Sequence, residues 1–132
     1  MLPPETFPGI RHPAPPPHPI LLWDGQCGFC AASVRCFRRL ARRPAPDAPV
    51  QLWLASLPEP ARVTALQQVL YLQPDGTLSG GVRALRHALK DAGRPRLAAL
   101  LAHPVVYPFA RGAYRLTARF RRLWPSAAAC PR

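Results

Sequence analysis

Ile20-Leu21-Leu22-Trp23-Asp24-Gly25-Gln26-Cys27-Gly28-Phe29-Cys30 is the stretch on which the fold turns. Its first four residues form a short apolar run suited to a buried strand, and Asp24-Gly25 ends that run with turn chemistry. From about Cys27 to Arg42 the spacing becomes helical. Cys30, Val34, Phe37 and Ala41 share one face, Ser33 and Leu40 lie at its edges, and Arg35, Arg38, Arg39 and Arg42 crowd the opposite side. Pro44 and Pro46 stop the helix. Two cysteines in C-x-x-C spacing therefore stand where a strand hands over to a helix.

Downstream, Val50 to Leu54 predicts a second strand, and Pro58-Glu59-Pro60 opens a short helix to about Leu66. Val69 to Leu72 predicts a third strand. Pro74-Asp75-Gly76 is a turn, from which Thr77 to Ser79 pairs back as a fourth strand. Gly80-Gly81 leads into a helix through Lys90, closed by Gly93. Two further helices follow, Pro95 to His103 and Val105 to Trp124, the latter with Pro108 in its first turn. The first two strands are expected to run parallel, with Ile20 and Val50 near their starts. The order β-α-β-α-β-β-α plus C-terminal helices predicts an α/β, thioredoxin-like fold: a small mixed sheet flanked by helices, with extra helices at the C-terminus. Three regions are expected: a disordered proline-rich leader over 1–19, the folded domain over 20–124, and a flexible tail over 125–132.

The chain of 132 residues has room for one domain, and 48% hydrophobic residues suffice for a packed core without metals or several disulfides. Its net charge of +12 comes almost wholly from arginine, Lys90 being the sole lysine. That balance attracts polyanions, although the abundance of alanine and proline attributes the same excess to a GC-rich coding sequence. No run of about 18 apolar residues is available to span a membrane. Eight prolines interrupt residues 1–19, which lack the apolar core of a signal peptide. Cys27, Cys30 and Cys36 cluster while Cys130 sits alone, which is not the layout of a secreted disulfide scaffold. The expected compartment is the reducing cytoplasm, where a C-x-x-C is more often catalytic or metal-binding than structural.

A thiol attacks a disulfide as the thiolate, and the unpaired N–H groups and positive dipole end of a helix N-terminus favour that form. Cys27, in the first turn, is placed to receive this stabilisation. Cys30, one turn on, is at the spacing that lets two helical side chains share a face. The assigned roles are Cys27 as nucleophile and Cys30 as resolving thiol. Zinc would need a second ligand pair, and Cys36, Cys130, His87 and His103 do not supply that spacing; no metal and no cofactor are expected. Asp24, three residues before Cys27, has two readings: a proton acceptor that helps Cys30 deprotonate, or an Asx-turn or cap that holds a backbone N–H.

The run Leu22-Trp23-Asp24-Gly25-Gln26-Cys27-Gly28-Phe29-Cys30, followed by Val34-Arg35 and Arg38-Arg39, resembles the opening of the DCC family of thiol–disulfide oxidoreductases. That family is named for the Asp, Cys and Cys of a DGxCxxC motif, here Asp24, Cys27 and Cys30. The resemblance continues through Pro74-Asp75-Gly76, Gly81 and Ala84 to the helix containing Tyr114-Arg115-Leu116-Thr117-Ala118-Arg119-Phe120-Arg121, and covers about residues 20–123. Two departures stand out: Phe120 replaces the usual Asn of the last motif, and the stretch between the second and third strands is short. The resemblance implies redox chemistry without naming a substrate. True thioredoxins place a cis-proline just before the third strand; here Gln67-Gln68 stand there, which implies that docking of the substrate backbone differs or is lost.

Other residues have plainer readings. Cys36 is expected to be an inert buried thiol and Cys130 an adventitious tail thiol. Gly80-Gly81 is a tight strand-to-helix turn whose N–H groups would also suit a carboxylate such as that of glutathione. Phe29 packs or offers substrate an apolar contact. Arg111, Arg115, Arg119 and Arg122 recur at near-helical spacing, which predicts a solvated basic face over a packed apolar one. The expected activity is thiol–disulfide exchange on disulfide-containing proteins or small thiols, with no specific nucleic-acid partner and only weak polyanion contact. The alternative is a basic binding module for nucleic acid or an acidic membrane surface, its C-x-x-C structural.

Overall fold

The computed structural model describes residues 5–43 and 46–120, so the expected tail over 125–132, with Cys130, and the end of the last helix lie outside the described residues. The elements in chain order are β1 (Thr6–Arg11), β2 (Ile20–Trp23), α1 (Gly28–Leu40), β3 (Asp47–Pro49), α2 (Glu59–Thr64), β4 (Leu70–Leu72), β5 (Thr77–Gly80), α3 (Gly81–Asp91), α4 (Pro95–Ala102) and α5 (Val106–Phe120). Among the described residues they build one five-stranded sheet in the order β1-β5-β4-β2-β3. β2 and β3 are parallel, with Leu21 opposite Asp47 and Trp23 opposite Pro49. β4 runs antiparallel to β2, Leu22 facing Leu70, and β5 antiparallel to β4, Leu70 facing Gly80. A parallel pair joined by a helix, then an antiparallel hairpin and a covering helix, is the thioredoxin-like arrangement.

Period-two alternation divides the core between the two faces of the sheet. Ile20, Leu22, Leu70 and Leu72 point to one side and pack with Val50, Leu57, Ala61 and Ala65. Leu21 and Tyr71 point to the other and meet Phe37 of α1 and Ala84 and Ala88 of α3. The helical face anticipated for α1 is the one it buries: Cys30, Val34 and Phe37 are each at most 7% exposed. Arg38, still on the solvated side, grips Asp47 with Nε at 2.8 Å from Oδ2, which fastens the short edge strand β3 to α1.

Three expectations need correction. The leader is not wholly outside the core, because β1 pairs antiparallel with β5 and Phe7 joins the apolar cluster. Pro8 and Gly9 break the strand signal in sequence, and the structure absorbs them at a sheet edge where the register shifts between Thr6 and Arg11. His12 then buries itself against Trp53, its Nδ1 accepting the Ala14 N–H at 3.0 Å. Secondly, Val50 to Leu54 is not a strand. β3 ends at Pro49, and the chain coils through two 3₁₀ turns, Val50–Leu52 and Leu54–Ser56. Those turns bury Val50 and carry Leu52 out to solvent. Thirdly, α5 packs only part of its apolar surface, and Arg111 of the expected solvated face is itself half-buried. Val106, Tyr107, Ala110, Arg111 and Tyr114 form its half-buried side, while Phe109 and Leu116 are 75% and 61% exposed.

Candidate active site

The strand registers put the ends of β2, β3 and β5 and the start of β4 along one edge of the sheet. The cysteine pair stands on that edge. After Trp23 the chain turns tightly: the Gln26 N–H donates to Asp24 Oδ1 at 3.0 Å and the Cys27 N–H to the Asp24 carbonyl at 3.2 Å. The side-chain half of this is an Asx-turn, one of the two readings held for Asp24. Gly25 is needed where it is, because a Cβ there would lie 2.7 Å from Cβ of Pro49.

Cys27 is the N-cap residue of α1, with extended backbone at φ −104° and ψ 117°. Its Sγ accepts the Cys30 N–H at 3.3 Å, taking the place that a serine or aspartate oxygen usually fills. A negatively charged sulfur is the stronger acceptor in that position, and no acidic residue in the first turn of α1 opposes it. Cys27 is half-buried and Cys30 buried; both stand as thiols. Cys36, half-buried, is also a thiol and lies six residues beyond Cys30, about 9 Å of helix. Among the described residues no group of three or more His, Cys, Asp or Glu is placed to hold a metal ion.

Gln51 is a site residue that sequence reasoning missed. Its Oε1 accepts the Gly25 N–H at 2.9 Å and its Nε2 donates to Asp24 Oδ1 at 2.8 Å, so it clamps the turn from the β3 side. The only signal was a single amide set in the apolar run Val50-Gln51-Leu52. It was concealed by the strand assignment, since the 3₁₀ turn is what brings Gln51 beneath Gly25.

Where thioredoxins keep their proline, Gln68 is buried and its amide lies close against Gly80. The Val69 N–H donates to the Tyr114 hydroxyl at 2.8 Å, and the Val69 carbonyl accepts the Gly81 N–H at 3.1 Å. Both backbone groups that an extended substrate would pair with at Val69 are thus engaged within the chain. Gly81, at φ +59°, opens α3 as the tight turn expected of it. The carboxylate beside it belongs to the chain itself: Glu5 lies close against Gly81, accepts a short hydrogen bond from the Tyr107 hydroxyl, and has Oε2 at 3.1 Å from Arg111 Nε. Burial, and then the bond to Glu5, hold the Tyr107 phenol above its ordinary range. Phe29 lies between the cysteines at the start of α1.

The family model for DCC1-like thiol-disulfide oxidoreductases matches residues 21–127. The chain belongs to that family. No curated protein and no solved structure matches it. The match to the DCC1-like family takes in Asp24, Cys27, Cys30 and Gln51 and every element from α1 to α5. β1, with Phe7, and the Glu5 carboxylate lie outside the matched DCC1-like segment.

Proposed function

We propose that this DCC1-like chain is a dithiol oxidoreductase in which Cys27 attacks and Cys30 resolves, acting on disulfides of proteins or small thiols. The observation that carries the reading is the Cys27 sulfur seated at the N-cap of α1, on the Cys30 N–H at 3.3 Å. In the first step the Cys27 thiolate attacks a substrate disulfide, forming a Cys27–substrate mixed disulfide and expelling one substrate thiolate, which takes up a proton. In the second step Cys30 loses its proton and attacks the Cys27 sulfur. The Cys27–Cys30 disulfide forms, the second substrate thiolate leaves, and two electrons have passed from the dithiol to the substrate. Asp24, three residues before Cys27, takes the Cys30 proton in this scheme while also bracing the turn through the Gln26 and Gln51 donors.

The test is a pair of substitutions. Cys27→Ser is expected to abolish reduction of a model disulfide, whereas Cys30→Ser leaves attack intact and accumulates mixed disulfides on Cys27 that mass spectrometry isolates. Mixed disulfides collecting on Cys30 in the Cys27→Ser chain would reverse the roles. Unchanged exchange in both variants would end the proposal.

A further inference from the structure

Helix α5, packed on α3 and α4, leaves a second apolar stripe uncovered. Amphipathic helices normally face the core with their apolar stripe. In α5 the half-buried side carries Val106, Tyr107, Ala110, Arg111 and Tyr114, with Tyr107, Arg111 and Tyr114 fixed by the Glu5 and Val69 contacts. The outward side carries Phe109 and Leu116 at helical spacing, preceded by Val105, itself 63% exposed. Gly112 lies between them with open space over its Cα. On α4, Leu100 adds another exposed apolar side chain. The charge on this part of the chain is of one sign. Beyond Asp91 the chain has no acidic residue and eight arginines, of which Arg96 and Arg115 stand exposed on α4 and α5.

We propose that the outward face of α5, with the adjoining part of α4, docks on an anionic lipid surface. Phe109 and Leu116 would enter the headgroup–acyl boundary, and Arg115 and Arg96 would meet the lipid phosphates. The charge decides between occupants. A second copy of a chain carrying +12 would bring arginine against arginine around the same stripe. A nucleic-acid backbone would be met by an apolar centre with nothing to pair there. An anionic bilayer satisfies both parts, the arginines at its surface and the apolar side chains below it. Among the described residues no helix is long and apolar enough to cross a membrane, so the contact is peripheral. Because Tyr107 and Tyr114 hold α5 to the edge of the sheet that carries Cys27, a docked α5 also tethers that edge near the lipid.

The experiment is sedimentation of the full chain with vesicles of phosphatidylglycerol and phosphatidylcholine, and with vesicles of phosphatidylcholine alone. Binding is expected only to the anionic vesicles. The double substitution Phe109→Ser with Leu116→Ser should weaken it at least tenfold, and Arg115→Glu about tenfold. Both variants alter exposed side chains, and circular dichroism and unchanged dithiol exchange would show that they fold. Equal binding to both vesicle types, or no binding, overturns the proposal. So does a dimer in solution that the double serine variant dissociates, or binding to duplex DNA that is tighter than to vesicles and indifferent to that variant. The inference does not rest on the redox reading: Cys27→Ser should bind vesicles as the parent does, so either can fail alone.

Discussion

Serine is among the best N-cap residues, and Cys27 holds an N-cap, so its capping and its proposed redox role separate by substitution. Cys27→Ser should unfold at an unchanged or higher urea concentration, whatever it does to disulfide exchange, while Cys27→Ala should lose about 1 kcal/mol with the cap. An alanine variant as stable as the serine one would mean that the sulfur does not cap α1. Asp24 divides in a similar way. Asparagine keeps an Oδ1 to accept the Gln26 N–H and the Gln51 amide, so Asp24→Asn should preserve stability while slowing resolution by Cys30 more than attack by Cys27. Stopped-flow measurement of the two steps checks this; equal slowing of both would leave Asp24 as a brace alone. The position of the cysteine pair at a strand-to-helix turn was legible in sequence, because C-x-x-C after a strand and before an amphipathic helix is a local pattern. Gln51 was not, since its role depends on a tertiary approach across the Gly25–Pro49 contact that no local pattern encodes.

Elements with a complete local signature were legible, and those shaped by an edge were not. β2 and α1 announce themselves through an apolar run and a helical face, and α3 is closed by Gly93, just past its end, whose φ of +86° suits a helix terminus. β1 was hidden because Pro8 and Gly9 look like breakers, yet an edge strand can spare the hydrogen bonds that a central strand cannot. β3 was misplaced by three residues, since Asp47-Ala48-Pro49 has no strand propensity and is held by Arg38 and by pairing with β2. The split of the apolar residues of α5 between a half-buried and an exposed side was illegible because periodicity reports that a stripe exists and not how much of it a neighbour covers. β1 belongs to the fold energetically as well as geometrically. Phe7 is 7% exposed among Leu57, Leu72 and Leu78, so Phe7→Ala should cost about 3 kcal/mol in urea denaturation. A loss below about 0.5 kcal/mol would return residues 6–11 to the status of a leader.

Taken as a whole, the molecule holds two imidazoles that resist protonation. Burial lowers His12 below its ordinary 6.5, and its Nδ1 accepts the Ala14 N–H, a bond that requires the bare nitrogen. Ser56 spends its proton on the Trp53 carbonyl, so the His12 Nε2–H donates to Ser56 Oγ at 3.1 Å. Burial, and then Arg83 and Arg86, lower His87, which stacks on Tyr71. Below pH 6.5 the unfolded chain gains protons on both groups that the folded chain refuses. Stability should therefore fall as pH drops through 6.5 toward the folded-state values, and be fully present above 6.5. Urea midpoints at about pH 7.5 and 5.5 measure this, and His12→Gln should flatten the slope; a midpoint that rises on acidification would contradict it. The interrupted pairing of β1 with β5 has a last consequence, for the company this protein keeps with itself. A straight apolar edge strand is a template on which a second chain can add its own, the first event of fibrous aggregation. β1 offers a poor template: Pro8 has no N–H to donate, Gly9 turns at φ +73°, and the register breaks between Thr6 and Arg11. The same irregularity that hid the strand from view blunts the sheet against polymerisation.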